Sequence, residues 1–479
     1  MRERGNMQEA QSIDPQRLRD GFAVYMIGAG GAGMSAIATV LIEMGCKVEG
    51  SDLKDSSYVR RLRDLGAAIG LGHRARNLGD CQVVVKSSAI RHDNPEVQEA
   101  QRRGIPIISR AQMLATIMAG RKGIAVAGTH GKTTTTAIVA CVLKECGVDP
   151  SYLIGGELKE IGGNAHYGKG EFVVAEADES DGSLLCLRPE IAVLTNVDWD
   201  HTDYFDSLDG TATVFREFLD LLSREGFAVI CGDDPTARGV GESFRASGRN
   251  VIFYGQAPDN NYRFEITSAR AEGSAFRVML GEEKLLDVTT RLPGVYNAYN
   301  STAAFAVAHR LGFDLDDIAR GMENCRGVRR RFELIGERSG VTVIDDYAHH
   351  PTEVKAVLDM AREITSGRVV VVFQPHRYSR TRMLHRLFGE SFDGAGLVVV
   401  TDIFSAGEDP EPGVTGNLIA DSICERDSSR DVVYIESRSE LARGVVNMLE
   451  PGDVVITMGA GDITRCAREI LDLLPEGEG

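Results

Sequence analysis

Proline and tryptophan are scarce in this 479-residue chain, with 14 of the first and one of the second against 53 glycines. Punctuation between elements therefore falls to glycine, as short strand-to-helix turns require. Cysteine is sparse too: nine residues, an odd number, with no C-x-x-C pair. The closest two, Cys141 and Cys146, sit five apart in an apparent helix and so not on one face. This pattern argues against disulfides and zinc and reads as the buried thiols of a cytoplasmic enzyme. No apolar run approaches the ~20 residues of a membrane helix, and Met1–Asp20 has no apolar signal core, which argues against secretion. Basic residues are outnumbered, 53 Lys and Arg to 70 Asp and Glu, for a formal net charge of −17. Such a surface repels phosphate backbones and anionic lipid, so nucleic acid and membrane are not expected as partners; a local basic pocket for a small anion stays open.

What is present suits a multidomain α/β protein. At roughly 150 residues per domain the length suggests about three. Short β-branched runs alternate with amphipathic stretches, the pattern of parallel sheets. The first block has strands Phe22–Ile27, Lys47–Ser51 and Gln82–Lys86. The second has Gly123–Ala127, Glu171–Ala175, Ile191–Asn196 and Phe227–Cys231. The third has Val341–Ile344, Arg368–Phe373, Leu397–Thr401, Asp431–Ile435 and Asp453–Thr457, and joints fall near Met118–Lys122 and Arg331–Gly340.

After the first strand, Gly28-Ala29-Gly30-Gly31-Ala32-Gly33 fits G-x-G-x-x-G before a helix. Gly28 permits the tight turn, Gly30 lets backbone amides approach a diphosphate, and Gly33 lets helix and strand pack closely. Asp52 ends the second strand, where a ribose-binding acid belongs. These residues alone fit a nicotinamide oxidoreductase as well as another diphosphate ligand.

The second block opens with Gly128-Thr129-His130-Gly131-Lys132-Thr133-Thr134 after an apolar strand. Gly131-Lys132-Thr133 closes a P-loop, in which amides wrap phosphates, Lys132 reaches the β/γ oxygens and the Thr133 hydroxyl ligates Mg²⁺. Val126 stands where the general spacing has its first glycine, and Gly128 supplies the turn instead. Two acidic segments, Glu176–Ser183 and Asn196–Asp203, end later strands, where Mg²⁺ bound to nucleotide phosphates needs ligands. In the third block, Asp345–Glu353 and Phe373–Thr381 set His and Arg at two strand ends, a cationic pocket suited to carboxylate or phosphate.

Taken together, these segments resemble the Mur ligases, the ATP-dependent amino-acid-adding enzymes of peptidoglycan precursor synthesis. The similarity runs from about Phe22 to Asp462. It rests on Gly28–Ser35, Ser87–Ile90, Gly128–Thr134, Glu176–Ser183, Pro293-Gly294 with Asn297 and Asn300, Arg330–Glu333, Asp345–Thr352, Gln374–Thr381 and Gly459–Asp462. The first block and Gln374–Thr381 point to the alanine-adding branch.

The resemblance implies three α/β domains: a Rossmann-like UDP-sugar domain (1–120), a central P-loop domain with a parallel sheet (121–333) and a Rossmann-like amino-acid domain (334–479). It implies that Gly28, Gly30, Gly31, Gly33, Asp52 and Ser88 contact the UDP-sugar. Gly128–Thr134, Asn297, Arg331 and Asp346 would serve ATP, with Lys132 on its phosphates, Asn297 on the adenine side and Asp346 at the ribose. Thr133 and Glu176 would hold one Mg²⁺ and His201 a second metal, while His349, Arg377 and Arg380 would orient the incoming amino acid and the reacting groups. The implied partners are UDP-N-acetylmuramate, L-alanine and ATP, on a cytoplasmic monomer or weak homodimer.

The implied chemistry is attack of the lactyl carboxylate on the γ-phosphate, giving an acyl phosphate that the alanine amine then opens. No side-chain nucleophile is needed, and catalysis is positioning plus charge neutralisation. The chain departs from the family in two places. It has no lysine between Lys169 and Lys284, so the carbamylated lysine of some sister ligases is absent, and Tyr296 stands where histidine is frequent. A tripeptide-adding recycling ligase shares most of the motifs. A nicotinamide oxidoreductase, or a regulatory protein using the P-loop as a switch, accounts for fewer of them.

Overall fold

The computed structural model describes residues 13–180, 182–199, 205, 207–270 and 272–476. Three sheets carry the three α/β domains. In the first, β1 (Ala23–Ile27), β2 (Lys47–Asp52), β3 (Ala68–Leu71), β4 (Val83–Lys86) and β5 (Ile107–Ser109) lie in the order β3-β2-β1-β4-β5. Every pairing is parallel. Val24, Met26, Val83 and Val85 enter one core, while Tyr25, Ile27 and Val84 enter another on the opposite face. Burial on both faces is why these strands read as unbroken apolar runs. Strand order reverses between β1 and β4, and at that switch point the Gly28–Gly31 loop and the segment after β4 flank a crevice.

The second sheet has ten strands: β6 (Lys122–Ala127), β7 (Ser151–Leu158), β8 (Gly163–His166), β9 (Phe172–Glu176), β10 (Ile191–Leu194), β11 (Phe227–Cys231), β12 (Asn250–Gly255), β13 (Tyr262–Arg270), β14 (Gly273–Leu280) and β15 (Glu283–Thr290). Their order is β15-β14-β13-β12-β11-β10-β6-β9-β7-β8, which sets the P-loop strand β6 between β9 and β10. The third sheet contains β16 (Glu333–Arg338), β17 (Val341–Asp346), β18 (Val369–Phe373), β19 (Leu397–Thr401), β20 (Val432–Ile435) and β21 (Val454–Met458), in the order β16-β17-β21-β18-β19-β20. Its strands alternate between two cores: Val369, Val371 and Phe373 face one, Val370 and Val372 the other.

By compactness the chain forms two units. One runs to Glu265 and includes Arg277–Val288 and Tyr299–Arg326; the other comprises Ile266–Phe276, Thr289–Ala298 and the chain from Gly327 onward.

β2 ends on Asp52, as the sequence reading has it, while β9 and β17 run past the ends read from sequence. β2, β9 and β17 continue through Asp52, Glu176 and Asp346, which pair in parallel register with Leu71, Val126 and Met458. Backbone pairing is indifferent to a polar side chain at the last position, so each acid stands on a rigid strand end. Part of the segment read as a joint, Arg331–Gly340, is β16, an edge strand antiparallel to β17. Nor are all the thiols buried: Cys46, Cys231, Cys325 and Cys466 are, whereas Cys424 is exposed. No helix among the described residues is long and apolar enough to cross a membrane.

Candidate functional site

At the first glycine loop, the Gly28 and Ala29 N–H groups donate to the Ser51 carbonyl at 2.9 and 3.1 Å, folding the turn over the end of β2. Asp52 has a role that the motif did not foretell. Its two oxygens accept from Gly30 N–H at 2.8 Å and Lys54 N–H at 3.0 Å, so the acid braces the loop itself. Each oxygen retains a further lone pair, which leaves room for a ribose hydroxyl. Gly30 is obligatory here because a Cβ would lie 2.8 Å from Val59 Cγ2 and 3.0 Å from Asp52 Oδ2.

The helix Ala32–Glu43 begins on Gly31 with no side-chain cap, leaving its first N–H groups for an anion. By contrast, Ser56, Asn94 and Ser109 cap the other α-helices that surround the first sheet. Ser88, Gly31 and Gly33 line a cavity of about 280 Å³ together with Arg110, Gly155, Glu176 and Asp178, so carboxylates of the second sheet meet the glycine loop of the first. Two contacts fix that apposition. Asn164 Nδ2 donates to the Ala32 carbonyl at 2.8 Å, and Arg110 lies 3.3 Å from Asp178.

The P-loop is held from β10's end. Asn196 accepts from Thr129 N–H through its backbone (3.2 Å) and from His130 N–H through its side chain (2.8 Å), and Thr195 Oγ1 donates to the His130 carbonyl at 2.6 Å. The His130 ring lies 3.3 Å from the Asp198 carboxylate. Gly128 has φ +128 and would drive a Cβ into Thr195, so only glycine can make this turn.

The helix Lys132–Glu145 starts on Gly131, again uncapped by any side chain. Asn300 Oδ1 sits beneath Gly131, where a Cβ would come within 2.7 Å, and accepts from Thr135 Oγ1 at 3.0 Å. Lys132 Nζ donates to the carbonyls of Gly128 (2.6 Å) and Thr129 (2.9 Å) and to the Glu179 carboxylate (2.9 Å). Burial opposes the ammonium charge, but the carboxylates of Glu179, Asp178 and Glu176 outweigh it and hold Lys132 above the ordinary lysine value. Thr133 Oγ1 donates to Glu176 Oε2 at 3.2 Å, and Glu176 Oε1 accepts from Gly155 N–H. Thr133 and Glu176 are thus brought together as the sequence suggests; His201 lies outside the described residues.

In the second unit, Asp346 is buried and accepts from Phe332 N–H and Ala348 N–H, both at 2.7 Å. Burial nevertheless dominates over these donors and the nearby Arg331 charge, and pushes the carboxyl up to about 6. Arg331 lies 5.2 Å over the Tyr347 ring and 3.9 Å from Glu353. His349 Nδ1 is 2.9 Å from the Tyr347 carbonyl, with its ring 5.6 Å from that of His376. Arg377 caps the helix Tyr378–Ser391 at φ +70, and Arg380 is in its first turn. Burial, then His349, Arg380, Arg377 and Arg330, lower His376 to about 3, which marks this pocket as cationic and its imidazole as neutral. Asn297 donates to the Pro293 carbonyl at 2.7 Å at the start of its helix.

Glu179, Arg110, Asn164 and His376 were not singled out in sequence. Glu179 and His376 lie inside quoted segments; Arg110 and Asn164 carry no motif, and only the fold brings Arg110 to the cavity and Asn164 to the first turn of the helix Ala32–Glu43.

Two expectations follow. If the first loop cradles the UDP-sugar, as the resemblance implies, Gly30→Val should weaken its binding about 100-fold (~2.7 kcal/mol) in calorimetric titration with ATP binding nearly unchanged, although crowding against Val59 lowers the melting temperature; equal loss of both ligands in a folded variant would contradict separate cradles. Asp346 holds a proton in the folded state between the ordinary 3.8 and about 6 that the unfolded chain releases, so its contribution to stability falls as pH rises through that window. Its carboxyl carbon resonance should titrate near pH 6, and a midpoint at or below the ordinary value would refute this.

Comparison with known proteins agrees along the chain. Residues 23–122 match the model of the Mur ligase family catalytic domain, 126–308 the Mur ligase middle domain and 330–461 the Mur ligase glutamate ligase domain. A UDP-N-acetylmuramate–L-alanine ligase from Desulforamulus reducens is 46% identical over 456 residues, 95% of this chain and 98% of that protein. One from Rubrobacter xylanophilus is 48% identical over 450 residues, covering 94% and 99%. Among solved structures, the UDP-N-acetylmuramate-alanine ligase of Thermotoga maritima aligns with a TM-score of 0.80 at 30% identity, covering 94% of this chain and 98% of that one. A murein peptide ligase from Psychrobacter arcticus, at 22% identity and a TM-score of 0.71 over 94% and 98%, shares the fold. With family models in series over all three sheets and relatives close to half identical across nearly the whole length, the chain belongs to the Mur ligase family.

Proposed function

We propose that this protein joins L-alanine to the lactyl carboxylate of UDP-N-acetylmuramate with cleavage of ATP to ADP and phosphate, in peptidoglycan precursor synthesis. The observation that carries this reading is the shared cavity: Gly31, Gly33 and Ser88 of the first sheet line it together with Glu176 and Asp178 of the second. A ligand gripped at the glycine loop by its diphosphate can therefore extend its sugar acid toward the P-loop, as acyl phosphate formation demands.

Thr133 and Glu176 offer hard oxygen donors 3.2 Å apart beside the P-loop, a set that fits Mg²⁺. When bound, Mg²⁺ supplies neutralisation of phosphate charge. Lys132 arrives already ionised, and exchanging Glu179 for the β/γ oxygens keeps its charge paired throughout. Gly128–Thr134 cradle the phosphates, with Asn297, Arg331 and Asp346 on the nucleoside side and His201 as ligand of a second metal. His349, Arg377 and Arg380 receive the alanine carboxylate, which forked guanidinium donors suit. We assign 1–120 to the UDP-sugar domain, 121–333 to the ATP domain and 334–479 to the amino-acid domain, in a cytoplasmic monomer or weak homodimer.

The test is phosphate release with ATP, Mg²⁺, UDP-N-acetylmuramate and a panel of acceptors. Release should require both the sugar and L-alanine. Release with tripeptide in place of L-alanine would reassign the acceptor, and release indifferent to either would refute ligation. Lys132→Ala should lower turnover by about 10³-fold or more with UDP-N-acetylmuramate affinity nearly intact.

A further inference from the structure

The helix Lys132–Glu145 has its phosphate chemistry in its first turn; about two and a half turns further on it presents Cys141. Beside it runs the helix Leu315–Asn324, whose C-cap is Cys325. The two helices come close because Gly321 has no side chain: a Cβ there would lie 2.6 Å from the Val142 Cα. An Arg320–Glu145 pair at 3.4 Å adds a polar tie. A third group comes from the turn between β7 and β8, where Glu160 accepts a hydrogen bond from Arg326 N–H, the residue after Cys325. The sulfurs of Cys141 and Cys325 and a carboxylate oxygen of Glu160 all lie within 4.8 Å of one another. Cys325 is fully buried and Glu160 exposed, so the cluster has a soft, enclosed floor and an open mouth.

We propose that Cys141, Cys325 and Glu160 form a binding site for a thiophilic divalent cation of the Zn²⁺ or Cd²⁺ type, which ties the helix Leu315–Asn324 to the P-loop helix. Two thiolates and one carboxylate are a fitting donor set for a tetrahedral ion with water in the fourth position, whereas Mg²⁺ and Ca²⁺ call for oxygen throughout. On binding, two S–metal bonds and one O–metal bond form, and the two thiol protons pass to solvent.

Hydrogen bonding to Cys325, burial and the Cys325 and Glu160 charges hold the Cys141 thiol well above its ordinary value, with Lys144 alone pulling the other way. Disulfide exchange and metal ligation both run through the thiolate, so cation binding here displaces the thiol protons and strengthens as pH rises. A bound dication offsets the charge of the two thiolates it forms and of the Glu160 carboxylate. Sequence spacing could not show the site, because Cys141 and Cys325 lie far apart in the chain.

The test is titration of the reduced, chelator-treated full chain with Cd²⁺, read by thiolate-to-cadmium charge-transfer absorption and by bound metal. One equivalent should bind, and Cys141→Ser and Cys325→Ser should each abolish the absorption. Cys146→Ser, at the C-cap of the same helix, should leave it unchanged. Zn²⁺ should raise the melting temperature of the parent chain but not of Cys141→Ser. Glu160→Gln, at an exposed position that leaves the core intact, should weaken Cd²⁺ binding roughly tenfold or more, at least the effect of losing a supporting partner at a metal site. Retained absorption in both serine variants, unaltered affinity in Glu160→Gln, or a Cys141–Cys325 disulfide that forms in air and blocks Cd²⁺ would overturn the proposal.

Discussion

A helix that starts on glycine with no side-chain cap leaves the N–H groups of its first turn for an outside acceptor, and this chain does so at Gly31 and at Gly131. Each start follows an interior strand of its sheet, β1 or β6, and each is tensioned by the neighbouring strand end, Ser51-Asp52 in one case and Thr195-Asn196 in the other. The local positive field of the two helix ends draws anions. Much of the surrounding architecture keeps those ends open and correctly spaced: the Asp52 brace, the Asn164 tie to Ala32, and Asn300 tucked under Gly131.

Charge in the first unit is arranged around the second of these cradles. Lys132 is satisfied by two carbonyls and Glu179, and Asp178 is held below the ordinary carboxylate range by Lys132 and Arg110 against the opposing effect of burial. The net negative surface of the chain therefore coexists with a buried, prepaid cation at the point where phosphate oxygens would arrive. In the second unit the sign is reversed: a neutral His376 sits among His349, Arg377, Arg380 and Arg330. Acid-lined and cation-lined pockets of this kind suit, respectively, a phosphate-bound Mg²⁺ and an amino-acid carboxylate.

The sequence made the parallel strands and both glycine loops visible because runs such as Val369–Phe373 are buried on two faces and because a phosphate cradle constrains residue type over only a few positions. It was poor where those conditions fail. β12 has a short buried run, Ile252–Gly255, that was passed over; after it, Tyr262–Thr290 mixes buried, half-buried and exposed residues with little apolar continuity, yet adds β13–β15. β16 resembled a linker because only one neighbour pairs with it. Asp52 was read as a ligand-facing acid, and its hydrogen bond to Gly30 emerged only from the loop's geometry. Arg110 and Asn164 had no motif to mark them, since their roles depend on how two sheets are apposed.

The central claim is that the sugar acid held at the first cradle reaches the terminal phosphoryl group held at the second. Borohydride reduction tests it most directly, since it converts an acyl phosphate, but not a free carboxylate, to the alcohol. With ATP, Mg²⁺ and UDP-N-acetylmuramate but no L-alanine, the account predicts that the reduced muramyl alcohol accumulates, and that it is absent without ATP or with Lys132→Ala. No reduced product from an enzyme that still turns over with L-alanine, or equal product without ATP, would contradict it.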